Sequence, residues 1–123
     1  FYGIDFEQIC KQYLLTKNAK NQLDFSFHEI GRWWGNKPIL KVEQEIDLVA
    51  YNAEQIIFAE CKWTKEPVSK KILTSLIEKA SFFSYPNKFY YLFSKNGFSV
   101  DCQQAARKNT MVRLFDFSEM FIS

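Results

Sequence analysis

Apolar and polar positions follow two rhythms along this chain, and the changes of rhythm mark its elements. From Ile4 to about Thr16 the residues Phe6, Ile9, Cys10, Tyr13 and Leu14 recur at helical spacing, with Gln8, Lys11 and Gln12 opposite, which predicts an amphipathic helix. Glu7 falls about 100° around from Phe6 and nearly in line with Leu14, so it stands at the margin of the buried stripe and can look into a site beside the core. From Phe25 to Trp34 the period becomes two, with Phe25, Phe27 and Trp33 on one side and Ile30 and Trp34 on the other; Gly35-Asn36-Lys37-Pro38 is expected to end that strand. Strands follow over 42–51 and 55–63. Pro67 suits the first turn of a helix whose apolar positions Val68, Ile72, Leu76, Ala80 and Phe83 continue until Pro86 stops it. Residues 87–94 read as an aromatic strand, Ser99 as the cap of a short helix ending at Arg107-Lys108, and 111–115 as a last strand.

The predicted order is αβββαβαβ, an α/β domain. Three successive strands followed by alternating helices and strands imply a mixed central sheet, antiparallel first and then fed by crossover helices, with helices on both faces. At 123 residues the chain is expected to form one domain over 1–123, since it is too short for two cores. It opens on Phe1-Tyr2-Gly3 without Met, so it is expected to be a fragment of a longer polypeptide. With 13 Phe, 6 Tyr and 3 Trp, the core should be built on rings more than on aliphatic branches. No apolar run approaches the ~20 residues that span a bilayer, and no signal-like N-terminal region occurs, which leads to the expectation of a soluble, cytoplasmic protein with no membrane partner. Cys10, Cys61 and Cys102 are odd in number, far apart and without a C-x-x-C pair; this argues against a disulfide framework and against zinc.

Charge changes the picture at one place. The net charge is only +2, but acidic residues outnumber basic ones up to Glu60 and the balance reverses beyond it, so an acidic centre can face a basic flank. The dense charges inside predicted strands are Glu45-Ile46-Asp47 and Glu60-Cys61-Lys62. A strand running through Ile56, Ile57, Phe58 and Ala59 accepts such groups only if they are paired, bound to metal or at an exposed end. If Asn52-Ala53-Glu54-Gln55 closes a hairpin centred between Ala53 and Glu54, Asp47 faces Glu60 and Glu45 faces Lys62, all on one side of the sheet. Two carboxylates at cross-strand distance suit a hard divalent cation, with carbonyls and water completing an oxygen shell. The alternative is structural: Glu45 pairs with Lys62, Glu60 bonds a neighbouring loop and Asp47 meets water at a strand end. That arrangement leaves the mutual repulsion of Asp47 and Glu60 uncompensated, whereas a metal resolves it.

The order αβββαβαβ, with Glu7 on the first helix, Asp47 in Glu-Ile-Asp-Leu-Val-Ala and Glu60-Cys61-Lys62 on the next strand, resembles the PD-(D/E)XK nuclease fold of restriction endonucleases and Holliday-junction resolvases. Gly31-Arg32-Trp33-Trp34-Gly35, Glu45 to Ala50 and Ala59 to Trp63 are together similar to an uncharacterised domain at the C-terminus of certain archaeal and bacterial AAA-type ATPases. Glu45, two residues before Asp47, is a candidate accessory residue. The resemblance implies a restriction-endonuclease-like core and a metal-dependent phosphodiesterase acting on DNA. Asp47 and Glu60 would hold Mg²⁺ or Mn²⁺ with the Cys61 carbonyl, Glu7 would reach the site directly or through water, and Lys62 would orient or deprotonate the attacking water. It also implies an ATPase module elsewhere in the same polypeptide. The alternative is a catalytically inactive nuclease fold that binds DNA or a protein partner.

Around this centre, Lys65, Lys70 and Lys71 could touch phosphates and Trp34 could stack on a base, although solvated lysines and a core Trp are the plainer expectation. His28, the single histidine, reads as a packed or surface residue. No G-x-x-x-x-G-K-[ST] occurs, so a nucleotide-binding loop would lie outside this stretch.

Overall fold

The structure, a computed structural model, describes residues 5–37 and 42–120, without the side chains of residues 34–37 and 42–44. Helix α1 (Phe6–Ala19) is followed by strands β1 (Glu29–Lys37), β2 (Val42–Tyr51) and β3 (Gln55–Lys62), then α2 (Lys70–Ala80), β4 (Asn87–Ser94), α3 (Val100–Lys108), β5 (Val112–Asp116) and a final turn of helix α4 (Phe117–Met120). The five strands lie in sequence order in one mixed, open sheet: β1, β2 and β3 are antiparallel, and β4 and β5 are parallel to β3. The two crossovers place α2 and α3 on the same face. Leu73, Leu76 and Ala80 of α2 and Cys102 of α3 pack there on Ile46, Val49, Ile56, Phe58 and Leu92. Phe6, Cys10 and Leu14 of α1, with Met120 of α4, cover Leu48, Ala50, Ile57, Ala59, Tyr91 and Phe93 on the other face. Rings dominate that layer: Phe93 stacks on Phe115 at 4.8 Å and Tyr13 meets both edge-on. The expected α/β class and mixed sheet with helices on both faces are therefore the observed ones. Among the described residues no helix is long and apolar enough to cross a membrane.

Element boundaries differ from the sequence reading by a residue or a few at several ends, α1 running on to Ala19 among them, and in four places for a clear local reason. The stretch from Phe25 to His28 is not strand, because the Asn18 side chain takes both backbone groups of Phe27, donating to its carbonyl at 3.1 Å and accepting from its N–H at 2.9 Å. Phe27 consequently packs under α1 with Ile30, while Trp33 packs on the opposite face. Gly35-Asn36-Lys37 does not end β1, which stays paired with β2 as far as Lys37↔Val42; Pro38 lies outside the described residues. Pro67 and Val68 precede α2, since the Val68 N–H donates to the Gly97 carbonyl and the Val68 carbonyl accepts from Ser99, a two-bond bridge between the loops after β3 and β4. The helix also stops before Phe83: Lys88 Nζ and the Phe83 N–H both bond the Ala80 carbonyl, and the chain turns. At its N-terminus α1 is capped by Asp5, which accepts from the Gln8 N–H at 2.9 Å; Ile4, where the helix was expected to begin, lies outside the described residues.

Candidate functional site

The hairpin register expected from the sequence holds where β2 and β3 are paired, from Tyr51↔Ile56 to Leu48↔Ala59. There the ladder stops. On the other edge of β2 the register against β1 shifts between Gly31↔Val49 and Trp33↔Ile46, so Asp47 and Leu48 together oppose the single residue Arg32. This is a β-bulge, which bends its strand and re-aims the side chains beside it. It puts Ile46 on the α2 face with Val49 and frees Asp47 from the ladder. In the opening between the splayed strands the Asp47 carboxylate takes the place of a backbone acceptor, its Oδ2 receiving the Cys61 N–H at 2.9 Å.

Glu60, one residue beyond the last paired position on β3, is buried at 5% exposure. Its Oε1 accepts from Lys79 Nζ of α2 at 2.9 Å, and the same ammonium donates to the Glu45 carbonyl at 2.8 Å. Burial, then the neighbouring Asp47 charge, push the Glu60 carboxyl up to about 7, with Lys79 pulling the other way. A hydrogen bond toward Asp47 adds, more weakly, to what favours the protonated Glu60 carboxyl. Two carboxylates this near disfavour each other's ionisation, and a proton or a cation relieves that repulsion.

On the α1 side of the bulge Arg32 closes the site. Its Nε and Nη2 reach both oxygens of Glu7, at 3.2 and 2.6 Å, and its Nη1 lies 3.8 Å from Glu45. The carboxylates of Glu7, Glu45 and Asp47 all hold the guanidinium in its charged form, Glu7 most strongly. Cys61 turns toward Cys10 of α1; its hydrogen bond with that thiol, and burial, raise the Cys61 thiol above its ordinary range, so it is no soft thiolate ligand. Its carbonyl is what it could offer a hard cation.

The structure thus brings Glu7, Glu45, Asp47, Glu60 and Cys61 into one neighbourhood, but with partners different from those expected. Glu45 does not face Lys62, because the bulge and the splaying of β2 from β3 break the register between them; it is exposed, pairs across to Trp34 in β1 and reaches Arg32 instead. Lys79, not Lys62, is the cation on Glu60. Lys62 lies half-buried at the end of β3. Lys65, Lys70 and Lys71 are exposed around the start of α2, and the Trp34 side chain lies outside the described ones. His28 is exposed. Sequence reasoning missed Arg32 and Lys79 as parts of the site. A signal existed for Lys79: one turn after Leu76 and next to Ala80, it stands at the margin of a buried stripe as Glu7 does.

Among the described residues no group of three or more His, Cys, Asp and Glu side chains is arranged to hold a metal ion. A cation here would therefore have two carboxylates, Asp47 and Glu60, with backbone carbonyl and water oxygen, a donor set for Mg²⁺ or Mn²⁺ rather than zinc.

Comparison with known proteins agrees with the α/β reading and supplies a family. The sequence profile of DUF234, archaeal and bacterial proteins of unknown function, matches residues 1–76, which include α1, the bulged strand and both acidic motifs. The chain belongs to the DUF234 family. An uncharacterised protein of Methanocaldococcus jannaschii is 34% identical over 101 residues, covering 77% of this chain and 22% of that protein. This DUF234 chain therefore spans about a fifth of the length of the curated relative it matches. The crystal structure of a protein of unknown function, AF1548, superposes with a TM-score of 0.55 at 19% identity, covering 89% of the DUF234 chain and 58% of the other. At that identity the match speaks for the fold alone.

Proposed function

We propose that this chain is a metal-dependent phosphodiesterase domain of the PD-(D/E)XK kind, acting on DNA and attached to an ATPase module of the same polypeptide. The observation that carries the reading is that Asp47 and Glu60 share the opening between β2 and β3, where one oxygen of each is engaged by the protein and the Asp47 charge disfavours ionisation of the buried Glu60. Asp47 and Glu60 would hold Mg²⁺ or Mn²⁺ with the Cys61 carbonyl. Such a cation supplies a lowered pKa for bound water and offsets charge on a phosphate. The protein's own part is positioning. The Cys61 N–H fixes Asp47, Lys79 fixes Glu60 and ties it to the backbone of Glu45, and Arg32 keeps Glu7 beside the site. Lys62, two residues past Glu60, is suited to orient a water; with an ordinary pKa of about 10.4 a lysine acts as a base only where its surroundings lower that value.

A second reading, a catalytically inactive nuclease fold that binds DNA or a protein partner, is favoured by the same partners counted differently. Lys79 already offsets Glu60, and Arg32 already occupies both oxygens of Glu7. The two readings separate in a cleavage assay with Mg²⁺ or Mn²⁺ on duplex, single-stranded and branched DNA. The first predicts turnover that is lost in Asp47→Ala and strongly reduced in Lys62→Ala; cleavage undiminished in both variants removes the mechanism, and DNA binding without turnover leaves the second reading.

A further inference from the structure

Gly31 sits inside β1, where a glycine weakens a strand because it orders a flexible backbone and packs nothing. Its surroundings give no reason for it. Its backbone is not left-handed, and a Cβ at this position would meet no atom within 4 Å. The extra residue of the neighbouring bulge lies across the ladder on β2, so the bulge does not require glycine at 31 either. What the absent side chain leaves is space. Gly31 lines a cavity of about 400 Å³ with Trp33, Tyr51, Phe83 and Tyr85 as its aromatic members and Glu29 among its polar ones.

We propose that this cavity binds a nucleobase, the flat ring of an unpaired nucleotide. The volume lies at the small end of the range for ligand sites, roughly 300–1,000 Å³. Trp33 meets Phe83 at 5.0 Å and Tyr51 meets Tyr85 at 6.5 Å, both edge-to-face; Phe83 is also packed by Phe58 at 4.9 Å, so the rings with surface to offer the cavity are Trp33, Tyr51 and Tyr85. Such surfaces stack on any base and are indifferent to its identity. Glu29, an acceptor only, can take hydrogen bonds from the amino or ring N–H groups of a base edge. A side chain at position 31 would fill the slot, which explains the glycine. A base stacked in a duplex cannot enter, whereas an unpaired one can. The neighbouring residue Arg32 carries its guanidinium to the carboxylates of the candidate site, so the cavity and that site share one strand. The base-binding inference stands on the cavity; only the step from a free nucleotide to a base within a nucleic-acid strand rests on the phosphodiesterase reading.

The test is calorimetric titration of the purified chain in EDTA with AMP, a single-stranded ten-nucleotide oligomer and the matching duplex. Wild type is expected to bind the nucleotide or the single strand in preference to the duplex. Gly31→Val, which places a β-branched group in empty space, should bind at least tenfold more weakly with a melting temperature no lower than wild type. Tyr85→Ala is a second variant that removes a wall instead of filling the slot, and it should weaken binding similarly. Equal affinity for AMP and oligomer assigns the site to a free nucleotide; tighter binding of the oligomer assigns it to a strand. No binding of either at millimolar concentration overturns the proposal, as does wild-type affinity in both variants or preference for the duplex. Because no metal is present, these failures count against the cavity and leave the carboxylate site untouched.

Discussion

At the scale of single residues the site is governed by how the protein treats Glu60. Burial and the Asp47 charge favour its protonated form in the fold, so its carboxyl titrates near 7 instead of near the ordinary 4.5. The folded state then holds a proton between those values that the unfolded chain has released. Stability from this group is complete below about pH 4.5 and is lost as the pH rises through about 7, a difference of up to about 3 kcal/mol. Glu60→Gln should abolish that slope: its amide can donate to Asp47 while its carbonyl accepts from Lys79. In EDTA at pH 8 the variant should melt higher than wild type, and at pH 4.5 the two should nearly coincide. Chemical denaturation across this range checks it; parallel pH profiles for the two proteins would show that Glu60 ionises normally. Asp47→Asn keeps an acceptor for the Cys61 N–H and removes the charge beside Glu60, so without metal at pH 8 it should match wild type or exceed it by about 1 kcal/mol.

At the scale of elements, capping distinguishes two helices that look alike in sequence. Ser69 and Ser99 both stand before helices in extended backbone, but only Ser99 accepts a capping bond, from the Cys102 N–H. Ser99→Ala should therefore cost about 1 kcal/mol and Ser69→Ala under about 0.5, measured by denaturant midpoints. Equal losses would contradict the assigned caps. The bounds of β2 and β4 and the helix after Ser99 were legible because local pattern and tertiary packing agree there. The hairpin register was legible too, since it depends on the turn at Asn52, whose side-chain oxygen bonds the N–H groups of Glu54 and Gln55. Its failure at Glu45 was not, because the bulge opposite Arg32 is a matter of pairing with β1 and leaves the alternation of residues 42–51 unmarked. Phe25 and Phe27 mimic a strand in their period, yet the backbone of Phe27 is claimed by Asn18, a side chain nine residues earlier. Asp47 and Glu60 could be found because charges are rare inside apolar strands; Lys79 is marked only by its place at the margin of the α2 stripe, which does not name its partner, and Arg32 enters only through contacts between elements distant in sequence.

At the scale of the whole molecule, β3, the strand that carries Glu60, leads directly into a basic stretch of chain. Lys65, Lys70 and Lys71 lie exposed in and after the loop that leaves β3, close in sequence to Glu60. If a polyanion approaches by this stretch, replacing all three with Gln should weaken DNA binding and reduce the dependence of log K on log salt by about 2 to 3, near 0.9 per phosphate contact on duplex. An unchanged salt slope would place the nucleic acid elsewhere. The bridge of Val68 with Phe98 ties together the loops at the carboxyl ends of β3 and β4, so this stretch is built on paired backbone.

The central claim is that the Asp47–Glu60 pair is a cation site, and calorimetric titration with Mn²⁺ at pH 8 tests it most directly. Wild type should bind the ion and melt at higher temperature in its presence, while Asp47→Ala should show neither heat nor stabilisation. No binding by wild type at millimolar Mn²⁺, or identical binding by the variant, would contradict the claim and return the cluster to a structural network of Arg32, Lys79 and their carboxylates.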